Sequence, residues 1–167
     1  MHNIDFLIKK HFPFDTFNPG QEEAIKFAVE AFEAGKKHVI LQAPTGIGKS
    51  AIATTIHRVL REIQAGWRTT IITATKGLQD QYEAEDSDIY SLKGKTNYPC
   101  PIGRGTYMSS GCRTARGEGF CSTPADTCTY LKRRTFWCNV APLRLTNSSF
   151  QIEAAQQLVM EEENRAN

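Results

Sequence analysis

The stretch APTGIGKS, residues 43 to 50, combines two glycines, a lysine and a hydroxyl at the spacing of a loop that curls its backbone N–H groups around an anion. Gly46 and Gly48 permit the curl, the helix expected to follow adds the partial positive charge of its first turn, Lys49 brings a mobile cation, and Ser50 offers an oxygen for a magnesium ion. The chemistry is that of a nucleoside triphosphate, with Ala43, Pro44, Thr45, Gly46, Ile47, Gly48, Lys49 and Ser50 as its cradle and Lys49 and Ser50 as its reactive contacts; Ala43 stands where the usual pattern has its first glycine. A second group is made of sulfur. Cys100, Cys112, Cys121, Cys128 and Cys138 are separated by 11, 8, 6 and 9 residues. Thiolates select soft metals, and structural zinc sites usually pair cysteines two to four residues apart. No such close pair exists here, so an iron–sulfur cluster suits the spacing better than zinc or unmetallated thiols.

These groups need elements to hold them. HVILQ, 38 to 42, is a short apolar run suited to a buried parallel strand leading into the loop, and KSAIATTIHRVLREIQAG continues with the 3.6-residue period through Ile52, Ile56, Val59, Leu60 and Ile63. Upstream, NPGQEEAIKFAVEAFEAGKK places Ile25, Ala28, Val29 and Phe32 on one helical face, with Gly35 positioned to end it. RTTIITAT, 68 to 75, reads as a strand rich in β-branched residues, KGLQDQYEAE as a helix after it, CTYLKRRTFWC as a weakly periodic helix, and LRLT, 143 to 146, as a further strand. Alternating strands and helices predict an α/β fold with a parallel sheet covered by helices. Residues 94 to 128 interrupt it with Gly, Ser, Thr, Pro and Cys, a composition that needs something other than an apolar core to hold it.

Charge is divided along the chain. Residues 1 to 99 balance twelve basic against twelve acidic side chains, whereas residues 100 to 138 carry Arg104, Arg113, Arg116, Lys132, Arg133 and Arg134 against only Glu118 and Asp126. That basic segment is interleaved with Tyr98, Tyr107, Phe120, Tyr130, Phe136 and Trp137, which suits single-stranded nucleic acid, although a solvated face over a small aromatic core accounts for the same residues. Thr73 and Thr75 in ITATKGLQDQ either cap the next helix or present hydroxyls to a phosphate. No apolar run approaches the roughly 20 residues of a membrane span, and MHNIDFLIKKHF lacks a secretion signal, so the cytoplasm is the expected compartment.

FNPGQ, APTGIGKS, TATKGLQDQ, LKGKTNYPC, CTYLKRR and LTNSS, in that order between about residues 13 and 150, resemble the N-terminal part of the iron–sulfur superfamily 2 DNA helicases, the XPD and DinG family. LKGKTNYPC is similar to that family's opening to its cluster domain, and CTYLKRR to the return. The resemblance implies a RecA-like P-loop lobe, residues 1–93 and 139–167, interrupted by an iron–sulfur insertion at 94–138. It further implies ATP and Mg2+ as ligands, a 4Fe-4S cluster on Cys100, Cys112, Cys121 and Cys128 (with Cys138 left over, or replacing Cys128), and 5′ to 3′ movement on single-stranded DNA. Gln21 matches the family's adenine-reading glutamine, with Asn18 where arginine is frequent. Thr73, Thr75, Lys76, Gln79, Arg133 and Arg134 are the residues the resemblance sets on DNA. Nothing after Asn147 resembles the acidic box that positions the attacking water, and the second motor lobe is missing. The chain is therefore expected to bind ATP but to hydrolyse it very slowly alone. It reads as a fragment, a split-gene or prophage product completed by a second chain, or alternatively as a truncated module that binds nucleotide and single-stranded DNA without unwinding.

Overall fold

The computed structural model describes residues 2–94, 97–99 and 127–147. They fall into two compact units, one ending at Thr69 and one beginning at Thr70.

The first unit is built on helices α1 (Ile4–His11), α2 (Gln21–Glu33) and α3 (Lys49–Ile63), each of which packs on the other two. The core between them is Leu7 and Ile8 of α1, Ile25 and Val29 of α2, and Ile52, Val59 and Leu60 of α3, joined by Phe12. These positions recur at three- and four-residue intervals, which places them on one face of each helix. The expected periodicity of α2 and α3 is therefore the face that is buried. Gly35, at φ 77°, ends α2 in the left-handed conformation, and the Lys36 amide donates back to the Ala31 carbonyl at 2.9 Å. α1 was not expected from composition. Its signal is Asn3, whose side chain accepts from the Phe6 amide at 3.1 Å, ahead of Ile4, Leu7 and Ile8 at helical spacing.

One expectation fails in this unit. Residues 38–42, read as a buried strand, carry no strand; Ile40 stands 90% exposed and Leu41 is exposed beside it. An apolar run states only that burial is favourable, whereas a strand exists through backbone pairing with a neighbour. Among the described residues no ladder engages 38–42.

In the second unit, β1 (Thr69–Thr73), β2 (Tyr90–Ser91) and β3 (Leu143–Asn147) form a sheet in the order β1-β3-β2. β2 and β3 are parallel, with Tyr90 opposite Arg144 and Ser91 opposite Leu145. Helix α4 (Lys76–Glu85) connects β1 to β2, and helix α5 (Thr129–Asn139) precedes β3. Ile89, Leu143 and Leu145 form one apolar cluster with Ile71 and Tyr82 against it. The chain on either side of residues 100–126 forms a second, in which Leu92, Tyr98, Cys128, Tyr130 and Trp137 are buried together. Tyr98, Tyr130 and Trp137, weighed in sequence as either stacking residues or core, thus serve as core.

Candidate nucleotide and nucleic-acid site

The phosphate loop adopts the conformation its glycines allow. Gly46 and Gly48 lie at φ 84° and 83°, in the left-handed region that a side chain disfavours, and α3 begins immediately afterwards at Lys49. Among the described residues no side chain caps α3, so the donor groups of its first turn carry no side-chain partner. Lys49 Nζ donates to the Pro44 carbonyl at 2.7 Å, closing the loop across its own mouth. Ser50 occupies the second position of the helix, one residue past Lys49, as a magnesium-binding hydroxyl requires.

A cavity of about 480 Å³ lies beside the loop, bounded by Leu41, Pro44, Ile47, Lys49, Ile52 and Ile56 among others. Its wall is mostly apolar, with Gln42 and Lys49 among its lining.

Gln21 is turned inward. Its side chain is buried, its Oε1 accepts from the Asn18 amide at 2.7 Å, and its Nε2 donates to the Ile47 carbonyl at 2.5 Å. The amide that the resemblance sets on adenine is thus hydrogen-bonded to the phosphate loop at Ile47. A close approach results: a Cβ on Gly48 would lie 2.6 Å from Gln21 Nε2.

The residues expected on DNA divide into committed and available groups. Thr75 caps α4, accepting from the Leu78 amide at 3.3 Å, so the capping alternative describes its side chain. Thr73 is buried and donates to Thr75 and Thr146 carbonyls. Gln79 is fully buried: its Nε2 lies 3.4 Å from Ser91 Oγ and from the Leu92 carbonyl, and its Oε1 accepts from Asn147 Nδ2 at 3.2 Å. A side chain so enclosed joins α4 to the sheet. The helical period carried the signal, since Gln79 shares a face with Tyr82, three residues on, which packs against the apolar cluster of the sheet. Lys76 donates to Asn97 Oδ1 at 3.1 Å from an exposed position. Arg133 is anchored by the Ser91 carbonyl at 2.9 Å and pairs with Glu83 at 3.1 Å, while Arg134 is exposed.

Of the cysteines expected on a cluster, Cys100, Cys112 and Cys121 lie outside the described residues. Cys128 is buried at the head of α5, and Cys138 is exposed. Among the described residues no three His, Cys, Asp or Glu side chains gather around a metal position. The histidines behave as structure: His57 is buried against Thr69 Oγ1 at 2.9 Å, and His11 pairs with Glu62.

A glycine loop shaped for phosphate at a helix start, with strand–helix alternation beyond it, defines a P-loop nucleotide-binding protein of α/β class. The family described as type III restriction enzyme, res subunit, matches residues 15–111, more than half of the chain, and the chain belongs to that family. This is a helicase-like domain, for which ATP with Mg2+ and nucleic acid are the implied ligands. No curated protein and no solved structure matches the sequence. Among the described residues no helix is long and apolar enough to cross a membrane.

Proposed function

We propose that this chain is the nucleotide-binding part of an ATP-dependent DNA helicase of the XPD and DinG kind, which binds ATP-Mg2+ and single-stranded DNA and carries a 4Fe-4S cluster in the insertion between residues 94 and 138. The observation that carries the nucleotide half is the loop itself: two left-handed glycines, an α3 start without a side-chain cap, and Lys49 held across the mouth by one carbonyl. On nucleotide binding, Lys49 exchanges the Pro44 carbonyl for β- and γ-phosphate oxygens, a gain because the new partner is charged. Ser50 would hold the magnesium ion, and the α3 amides would complete the anion site.

Support for the insertion comes from LKGKTNYPC and CTYLKRR and from the burial of Cys128. Its thiol sits among Leu92, Tyr98, Tyr130 and Trp137, an apolar surround that shields a sulfur ligand from water. Cys100, Cys112 and Cys121 would supply the other sulfurs. A cluster there supplies folding free energy to a segment poor in apolar residues.

Two measurements on the purified chain test the reading. ATP turnover that rises with single-stranded DNA supports the motor, and nucleotide binding with no turnover supports the binding-module alternative. Iron and sulfide analysis with a visible spectrum after anaerobic purification tests the cluster; colourless, iron-free protein that folds equally well with all four cysteines replaced by serine overturns it.

A further inference from the structure

Lys93 and Arg133 of the second unit are both held by carboxylates, and the way they are occupied is informative. Glu83 of α4 uses each carboxylate oxygen on a different cation: Oε1 meets Arg133 Nη2 at 3.1 Å, and Oε2 meets Lys93 Nζ at 2.9 Å. Lys93 also reaches Asp80 Oδ1 at 2.5 Å. The two cations come from separate elements, Arg133 from α5 and Lys93 from the segment after β2, and both are fixed from behind. Arg133 Nε donates to the Ser91 carbonyl at 2.9 Å, and the Lys93 amide donates to Tyr98 Oη at 3.0 Å. Two pre-positioned cations that converge on the two oxygens of one anion are a receptor for an oxyanion, and arginine is the side chain best suited to that geometry.

We propose that Lys93 and Arg133 form a binding site for a nucleic-acid phosphate, and that Glu83 is the resident competitor that fills it when no nucleic acid is bound. The site deepens the proposed function and rests on its single-stranded DNA reading. A carboxylate carries two oxygens and a charge like that of a phosphodiester, so it satisfies the same two donors. The exchange is accessible from the Arg133 side, where the side chain is 49% exposed and its pair is partly screened by salt, while Lys93 and Glu83 stand at 24% and 26%. A phosphate, by contrast, brings the release of condensed counterions from the nucleic acid. Lys93 remains a cation throughout: hydrogen bonding to Asp80, then to Glu83, holds its pKa above the ordinary 10.5. Exposed Lys132 and Arg134 flank Arg133 in sequence and carry the positive surface onward. α4 presents Asp80 and Glu83 to these cations, while its Glu85 accepts from Gln81 at 2.7 Å and its first turn carries Lys76, which donates to the neutral Asn97.

The test is fluorescence anisotropy of a labelled oligothymidylate with the whole chain across a potassium chloride series. Glu83→Gln removes the competing charge while keeping the shape. It is expected to tighten binding by roughly threefold to tenfold at low salt and to steepen the log–log salt dependence by about 0.7, one further phosphate contact on a single strand. Adding Lys93→Gln or Arg133→Gln to that variant is expected to cancel the gain, whereas Arg133→Gln alone weakens binding by less than that gain because Glu83 already competes for its guanidinium. Unchanged or weaker binding by Glu83→Gln, with circular dichroism matching the parent, overturns the site, since an ion pair serving only structure gives that sign. If that variant does not fold, Asp80→Asn frees Lys93 through a carboxylate that is 63% exposed, and the same gain or its absence decides. Parent binding with no gain in the variant sinks this site alone. Binding by neither protein sinks the single-stranded DNA reading with it. A gain over a weakly binding parent sustains both.

Discussion

Gly48→Ala and Gly46→Ala are the same substitution at nearly the same backbone angle, and the structure makes them unequal. Both glycines lie in the left-handed region, where a side chain costs about 1–2 kcal/mol. Around Gly46 no atom lies within 4 Å of the added carbon, so its cost stops there. At Gly48 the new carbon meets Gln21 Nε2 at 2.6 Å, well inside contact distance. Gln21 is only 1% exposed and is held at both ends of its amide, so it cannot swing aside into water. Displacing it breaks the bond to the Ile47 carbonyl and leaves a buried donor unsatisfied, about 1–3 kcal/mol more. Gly48→Ala is therefore expected to cost about 2–5 kcal/mol in urea unfolding against about 1–2 for Gly46→Ala. In a Gln21→Ala background the obstruction is gone, and the cost of Gly48→Ala is expected to fall to that of Gly46→Ala. Equal costs in the parent, or strict additivity with Gln21→Ala, would refute the claim that Gln21 supports the phosphate loop by contact.

Lys49→Met is expected to abolish the rise in melting temperature that Mg2+-ATP gives the parent, a gain of about 2.7 kcal/mol at one hundred times Kd, while leaving ligand-free stability nearly unchanged because the bond to Pro44 is exposed. Gln79→Leu is expected to destabilise by about 1–3 kcal/mol, as it takes the acceptor from Asn147 Nδ2 and two donations from Ser91 and Leu92; thermal melts check it. Glu62 is held below its ordinary pKa of 4.5 by hydrogen bonds from Lys10 and then His11. A depressed folded pKa contributes stability above the unfolded value and loses it as pH falls through the folded one, so Glu62→Gln is expected to flatten the acid limb of a stability-against-pH curve below about pH 4.5 and to leave the neutral-to-alkaline shape intact.

Much of the local structure was legible because it is written in short-range periods. The faces of α2 and α3, the start of α4 at Lys76, the β-branched run of β1 and the return strand at Leu143 each follow from side-chain spacing within one element. The phosphate loop was legible for a stronger reason: left-handed backbone at positions 46 and 48 leaves glycine as the residue without strain, so conformation and sequence constrain each other directly. α1 escaped because its cue is a single Asn3 cap ahead of three apolar residues, and β2 because two residues carry no period.

What the tertiary structure decided is where each polar group spends its hydrogen bonds. The family resemblance sets Gln21 on adenine and Gln79 on DNA; the fold brings Ile47 to the first and Ser91, Leu92 and Asn147 to the second, and both are buried. It also decided that HVILQ, apolar enough for a strand, has no ladder among the described residues, and that Arg133 meets Glu83 from 50 positions away. Chain chemistry by itself pointed to a phosphate loop and a helicase-like domain, because a P-loop needs only contiguous residues. Burial, pairing and charge neutralisation depend on groups distant in sequence, and only the folded chain brings those together.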